Sequence, residues 1–449
     1  MMNRKFQLLP LACLTLSCIN FGVVASESTN LVDGSSLASS SFFKDSKIDF
    51  STVNKFQYLN SNDYPSYTST VQTAWAQGIK ANYQSGYIND IFGIDASYTG
   101  VAKLAASKYF FTREYLYADG DYPYDASGFS KFNQIYAKQK FGDDSKYIRL
   151  YEGQRQLPNF GSISMQDKVA YSSWYGISAE TGYDEWSARF AYVTKYSDSD
   201  EPNQEDLLTK DSKVIDNIIT GDVSWRNQDK SVLFFSGESH DYLRRYGLEM
   251  SKTNAGPSGV WIYGSQIYMN QGLDMWKEMS SSNKFYDDNA YHFAIDATYI
   301  NGPWFTKAGY GYSIAKRTGN LGKFGWDMTD NSKGNFNGMA AGLSSDFTND
   351  KENFLGLITM YQFVPSYAAG VVGRFGYGHE YEGNHFQDIE LGLLNKWTPT
   401  QIKGLTAFFG FGPNWTFKRQ FDNTPLLDAN GNWIRGRGFC FTSSVEYKF

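Results

Sequence analysis

Apolar and polar residues alternate along most of this chain with a period of two. From Phe92 to Leu104, the residues Phe92, Ile94, Ala96, Tyr98, Ala102 and Leu104 fall on one side, against Asp95, Ser97, Thr99 and Lys103 on the other. Tyr291, Phe293, Ile295, Ala297 and Tyr299 oppose His292, Asp296 and Thr298 in the same way, and Trp186, Ala188, Phe190 and Tyr192 oppose Ser187, Arg189 and Lys195. Successive side chains of a strand point to opposite faces, so each run predicts a strand with one apolar and one polar face. Each run is about ten residues, the length a tilted strand needs to cross a bilayer. The last run ends the chain, with Phe439, Phe441, Val445, Tyr447 and Phe449 opposing Cys440, Thr442, Ser444, Glu446 and Lys448.

The connections alternate as well. Short polar breaks fall at Asn89-Asp90, Gly142 to Ser145, Gly182-Tyr183, Asn227 to Lys230, Asn301-Gly302, Asn349 to Lys351 and Lys396 to Thr400; longer segments such as Ala105 to Gly128, Arg155 to Ser173, Ser197 to Asp216, Gln271 to Asn289, Ile314 to Asn337 and Pro413 to Gly436 lie between them. Short periplasmic turns on one side and long extracellular loops on the other predict an all-β fold, an antiparallel transmembrane β-barrel. Counting hairpins gives 18 strands at 46–58, 71–88, 92–104, 129–141, 147–154, 174–182, 184–195, 217–226, 231–237, 242–250, 259–269, 290–300, 304–313, 338–346, 354–362, 386–396, 403–411 and 438–449. An even number returns both ends to the periplasm; sixteen is the alternative count, and Val371 to Tyr377 fits either a further strand or a folded loop.

Composition sharpens this picture. Residues 1–25 carry Arg4 and Lys5, an apolar run and Val23-Val24-Ala25, which reads as a secretory signal peptide; 26–45 is a Ser-rich leader and 46–449 the barrel. Cys13 and Cys18 fall within the signal, so the exported chain keeps Cys440 alone, has no internal disulfide and depends on hydrogen-bonded closure. The exported chain has 39 basic against 47 acidic residues, a net charge of −8, which argues against a nucleic-acid partner. Aromatic residues make up 17% of the sequence, as suits a barrel with aromatic girdles. The mean hydropathy of −0.46 agrees with strands that expose only alternate residues to lipid.

Trp75-Ala76-Gln77-Gly78, Tyr83-Gln84-Ser85-Gly86-Tyr87 and Phe92-Gly93-Ile94-Asp95-Ala96 resemble the second and third strands of the outer-membrane porin D family. The tract Arg149 to Gly153, then Gln154, Pro158, Asp167 and Tyr175-Gly176, is similar to the family's third-loop region, and Glu238 to Tyr246 to a further strand pair. Lys195-Tyr196, and Phe324 to Gly342 with Trp326-Asp327, look most like the family's chitoporin branch. The resemblance implies passive diffusion of small hydrophilic nutrients, chito-oligosaccharides among them, through a channel narrowed by the 155–173 loop and lined by basic residues. Amino acids or carboxylates are the alternative solutes. The terminal phenylalanine also resembles the signal read by the barrel-insertion machinery; outer-membrane lipid and lipopolysaccharide are the other expected partners.

Strand parity turns Lys80, Arg149, Arg189, Arg226, Arg245 and Lys307 toward the lumen, together with Asp95, Asp222, Asp296, Asp388 and Glu390. A wall carrying both signs discriminates solutes by charge. A water-filled barrel keeps polar residues inside whatever it transports, so each charge alone is weak evidence. Gln154, Pro158 and Asp167 are the constriction-loop candidates, and Tyr151, Tyr175 and Trp326 are aromatics on which a pyranose face could stack. Asp119-Gly120-Asp121 and Asp327 to Asn331 lack the closing acidic position of an EF-hand loop and read as solvated carboxylates. The rival classes are a barrel enzyme and an adhesin. Four histidines, His379 and His385 spaced six apart, and the absence of a G-x-S-x-G elbow leave catalysis without a recognisable site, and no cofactor or metal is expected.

Overall fold

The period-two runs pair antiparallel with their chain neighbours. The computed structural model describes residues 41–61, 71–108, 114–119, 125–343, 346–420 and 422–449. Its strands are β1 (Lys47–Ser61), β2 (Val71–Gln84), β3 (Phe92–Ala106), β4 (Phe129–Gly142), β5 (Lys146–Arg155), β6 (Ser173–Tyr183), β7 (Trp186–Ser197), β8 (Ile218–Arg226), β9 (Lys230–Ser239), β10 (Leu243–Gly256), β11 (Gly259–Gly272), β12 (Asn289–Asn301), β13 (Trp304–Ile314), β14 (Asn353–Val364), β15 (Tyr367–Tyr381), β16 (Asn384–Trp397), β17 (Leu405–Phe417) and β18 (Arg435–Lys448). The circle closes where β1 pairs with β18, from Ser51 opposite Lys448 to Ser61 opposite Gly438. Two short strands, Glu205–Leu208 and Val214–Ile215, extend the ladder from β7 into a loop, and Tyr117–Asp119 pairs with Asp125–Ser127 in a separate ladder, which leaves 18 in the wall. Closure removes sheet edges, so backbone groups find partners without water, as a bilayer requires.

Outside the barrel, Ile79, Ile94, Ile148, Leu150, Ile177, Phe234, Ile295, Leu357 and Leu391 are exposed apolar side chains. Tyr183, Trp186, Trp304, Tyr367 and Trp397 ring the end with the short turns, and Trp75, Tyr98, Tyr377 and Trp415 the end with the long loops. An apolar band between two aromatic girdles is the surface a lipid bilayer covers.

Two expected segments need correction. Residues 338–346 are not a strand: Met339, Ala340 and Leu343 are buried against Phe354, Ile358, Val372 and Leu394 on the lumenal face of the wall. Their apolar character serves packing inside the barrel, which period-two counting cannot separate from lipid contact. Conversely, the open segment around Val371 to Tyr377 is the centre of β15. Its alternation is diluted by Gly370, Gly373 and Gly376. The two differences cancel, so the count of 18 and the strand parity both hold. The described end of the leader, Ser41–Lys44, is a helical turn packed on the β2–β3 connection, where Gly86 N donates to Phe42 O at 2.9 Å. The signal reading lies outside the described residues.

Candidate functional site

The loop between β5 and β6 crosses the lumen. Near its start, Gly161 N donates to Asp222 Oδ2 at 2.8 Å and Ser162 N to Thr220 Oγ1 at 2.7 Å, both on the inner face of β8. A few residues on, Val169 lies against Gly78 and Val53, and the Lys80 ammonium sits 3.5 Å over the Tyr171 ring, all on the inner faces of β1 and β2. Those anchor points are six or seven strands apart around an eighteen-strand circle. The chain between them therefore bridges nearly opposite walls. Gly161 (φ +57°) adopts a left-handed conformation that favours glycine, and a Cβ on Gly237 would stand 2.0 Å from Ser162 Oγ. These two glycines let the loop lie directly on the wall.

The 315–352 loop folds inward and meets it. Ser164 N donates to Lys333 O at 2.8 Å, Asn335 N to Ser162 O at 2.9 Å, and Asn335 Nδ2 to Gly161 O at 3.0 Å. Arg245, 1% exposed, holds this loop from β10 by donating to Trp326 O and Asn335 O, while Ser239 Oγ donates to Met328 O at 2.6 Å. A guanidinium on two loop carbonyls acts as a clamp, because its planar fork of donors stays charged when buried.

Most of the charges that parity turns inward are paired in the structure. Asp95 accepts from Lys138 at 2.6 Å and from Tyr136 at 2.9 Å. Arg189 grips Asp222 through Nε and Nη2, the shortest contact being 2.7 Å, and its Nη2 also reaches Asn159 O. Lys307 lies 3.2 Å from Asp296. Glu390 pairs with Arg374, which also donates to Met339 O, and Asp388 faces His379. Arg149 lies over the Tyr147 ring toward the turn end. Gln154 ties three segments together, donating to Phe132 O and Ser173 Oγ at 2.8 Å and accepting from Gln204 at 3.0 Å. Asp167 stands 3.5 Å from Lys55, Pro158 is exposed on the crossing loop, and Tyr151 lies under Arg155 at 3.6 Å.

Other predicted residues take different places. Tyr175 points outward, 44% exposed, because β6 turns Trp174, Ser178 and Glu180 inward and Tyr175 and Ile177 toward lipid; it belongs to the loop-end girdle. Trp326 is 6% exposed and stacked on Phe336 at 4.5 Å, a packing residue of the inward loop. Arg226 has lumenal parity but is exposed as the last residue of β8, at the turn rim. Cys440 faces inward as expected, yet it is 1% exposed and packed against Gln57 Nε2. Asp327 and Asp330 are not solvated carboxylates: Asp327 accepts from Gly334 N at 3.1 Å and Asp330 lies 3.9 Å from Lys210. The Asp119 to Asp121 motif lies partly outside the described residues.

The sequence reading missed Thr220, Ser162, Lys55, Lys131, Lys138, Arg155 and the loop residues that hold the two inward segments together. Parity could have found the lysines; no local pattern marks a hydroxyl that receives a distant loop. At the loop end, Lys210, Trp276, Phe285, Tyr286, Trp326 and Asp330 line a narrow cleft. Burial there lowers the Lys210 ammonium to about 8, and burial raises the Asp330 carboxyl to about 6 against the opposing pull of Lys210.

The class defined by this geometry is a closed eighteen-strand transmembrane barrel with a charged lumen crossed by one loop and packed by another. Its fold is shared with OccAB3 of Acinetobacter baumannii (16% identity, TM-score 0.73, covering 90% of this chain and 100% of that one). It is also shared with OpdK of Pseudomonas aeruginosa, solved with vanillate (14%, 0.72, 91% and 99%), and with OccK8 (OprE) of the same organism (14%, 0.73, 91% and 99%). These neighbours are outer-membrane channels of the porin D family, and at such identities the likeness is one of fold. No family model matches the chain, and no curated protein matches it.

Proposed function

We propose that this chain is an outer-membrane porin through which small hydrophilic solutes diffuse passively. The observation that carries the reading is the 156–172 segment, which crosses a closed, polar-walled barrel and is fixed to both sides of it. A loop held at both walls narrows a path without sealing it by motion, so width and the lining charges discriminate. Diffusion through such a path needs neither cofactor nor energy coupling. On this reading the chain sits in the bacterial outer membrane, with lipid and lipopolysaccharide around it and the barrel-insertion machinery as its partner in assembly.

The finer reading is a channel for chito-oligosaccharides, supported by the resemblance of 324–342 and Lys195-Tyr196 to the chitoporin branch. Carboxylates are the second reading, favoured by Lys80 and Lys131 on the inner faces of β2 and β4, and by the presence of vanillate, an aromatic carboxylate, with OpdK. Planar-bilayer recording separates them. Open conducting steps support the porin, and an electrically silent folded barrel refutes it. Block by chitobiose at low concentration with no block by benzoate-type acids supports the sugar channel; the reverse ranking assigns the carboxylate channel.

A further inference from the structure

Three ionisable side chains at the loop end of the barrel lie buried without hydrogen-bond partners for the atoms they turn toward one another. They are Glu352, at the end of the 315–352 loop, His379 on β15 and Asp388 on β16. All are buried, and one ligand atom from each lies within 4.8 Å of the others. His379 Nε2 is 3.2 Å from Asp388 Oδ2, and Nδ1 is 3.8 Å from Glu352 Oε1. Neither contact has hydrogen-bond geometry: both ring nitrogens, Glu352 Oε1 and Asp388 Oδ1 are all unpartnered. Phe386 and Phe417 pack on the imidazole at 5.6 and 5.7 Å.

Two buried carboxylates beside one imidazole, each with a buried oxygen that accepts no hydrogen bond, are costly unless something cationic joins them. We propose that Glu352, His379 and Asp388 form a divalent metal site, with Zn²⁺ the expected ion. One imidazole and two carboxylates suit that ion, whose ligand bonds run at about 2.0–2.2 Å. The 3.2 Å between His379 and Asp388 matches neighbouring ligands at such distances. Ligands about 2.1 Å from a tetrahedral ion stand about 3.4 Å apart, so the widest separation, within 4.8 Å, closes by at most about 1.4 Å shared between two side chains. The supporting residues are already oriented: Asn349 donates to Glu352 Oε2 through its backbone N at 2.8 Å and its Nδ2 at 2.9 Å, which leaves Oε1 facing the ring. Ligand-orienting hydrogen bonds of this kind are a regular part of metal sites. Asn423 Nδ2 in turn donates to Asn349 Oδ1 at 3.2 Å, and Arg419 Nη1 donates to Asn423 Oδ1 at 3.2 Å. The ion thus pins the end of the 315–352 loop to β15 and β16, and its frame reaches the 418–434 loop. The inference is independent of which solute the channel carries.

The test uses full-length protein folded in detergent, stripped with chelator and titrated with Zn²⁺ against a chromophoric competitor. The expected result is one equivalent bound. Glu352→Gln and Asp388→Asn, close in shape to the native residues, should each weaken it at least about tenfold, the scale on which loss of a single supporting partner is felt. His240→Ala and His385→Ala, at histidines half or more exposed, should leave it unchanged. No stoichiometric uptake, or equal binding by the two carboxylate variants, overturns the proposal. Should those variants fail to fold, X-ray absorption on the zinc-loaded native protein decides. A single imidazole with oxygen ligands supports the site, and two or more imidazoles or a sulfur ligand overturns it.

Discussion

The Arg189–Asp222 pair makes an asymmetric prediction about the crossing loop. Asp222 accepts three contacts from the Arg189 guanidinium and the backbone N–H of Gly161, and its side chain is 3% exposed, against 29% for Arg189. Arg189→Met removes the cation and leaves a buried carboxylate with one neutral donor. Stranding a fully buried charge costs about 3–5 kcal/mol, and the partial exposure of Arg189 discounts this to about 2–3 kcal/mol. Asp222→Asn keeps an oxygen for Gly161 and frees a guanidinium that already touches water, so about 1 kcal/mol is expected, the net value of an ordinary hydrogen bond. The readout is hydrogen exchange at the amides of Gly161 and Ser162, which report opening of the loop from the wall. At a factor of ten per 1.4 kcal/mol, Arg189→Met should lower protection about 30- to 100-fold and Asp222→Asn under about tenfold. The double variant should regain protection relative to Arg189→Met, because the stranded charge is gone. Single-channel steps should rise in the same order. Equal losses, or a larger loss in Asp222→Asn, would show that the loop is not held through this buried charge.

Three further outcomes follow from the same geometry. Gly237→Ala places a methyl where Ser162 Oγ lies, at 2.0 Å, and should push the crossing loop off β9, increasing conductance while the barrel still resists heating in detergent as a folded band. Cys440 should stay unlabelled by a membrane-impermeant maleimide in the folded channel and react fully after denaturation; rapid labelling of the folded protein contradicts its burial. Burial, reinforced by Glu114, pushes the Asp198 carboxyl up from 3.8 to about 7. The folded state therefore holds an extra proton between those values, so the 198–217 loop is most stable below about pH 4 and loses stability as pH rises to 7, with no further change above. Opening constants of its amides, measured by hydrogen exchange from pH 4 to 8, should increase across that window and then level off.

The barrel was legible because lipid imposes a strict rule on alternate residues. Ile94 and Asp95, or Phe190 and Arg189, sort to opposite faces wherever a strand crosses, and a single sequence carries that pattern. It failed where the rule does not apply. Met339 and Leu343 are apolar for the sake of β14 to β16 inside the barrel, and the glycines of β15 carry no pattern at all. Loop placement was legible only through resemblance, since nothing in Gly161-Ser162 announces that Thr220 and Asp222 will receive it. Trp326 and Tyr175 show the same limit from the other side: as aromatics they were plausible pore residues, yet one is consumed by stacking on Phe336 and the other faces lipid. Lumenal charge was predictable by sign and face, but pairing was not, because register between strands decides it. Glu180 is opposite both Arg149 and Arg189 in the ladder, and its ion pair is with Arg155.

That pairing changes what the lumen can do. Asp95 with Lys138, Glu180 with Arg155, Asp222 with Arg189, Asp296 with Lys307 and Glu390 with Arg374 place opposite charges within contact around the wall. Fields from such dipolar pairs fall off faster with distance than those of isolated charges, and ions in the pore water screen them further. A row of bare cations would draw anions along the wall; a ring of closed pairs presents a solute mainly with hydrogen-bonding edges. Among the described lumenal charges, Asp167 on the crossing loop, Arg189 and Lys307 keep partial contact with water, with side chains 53%, 29% and 30% exposed, as do Glu446 and Lys448 at the turn end, at 35% and 72%. Asp167 and Arg189 lie on the crossing loop or on its anchor, so loosening the loop alters width and charge together. The wall supplies the rigid frame, and the loop it grips is held in one place across the lumen.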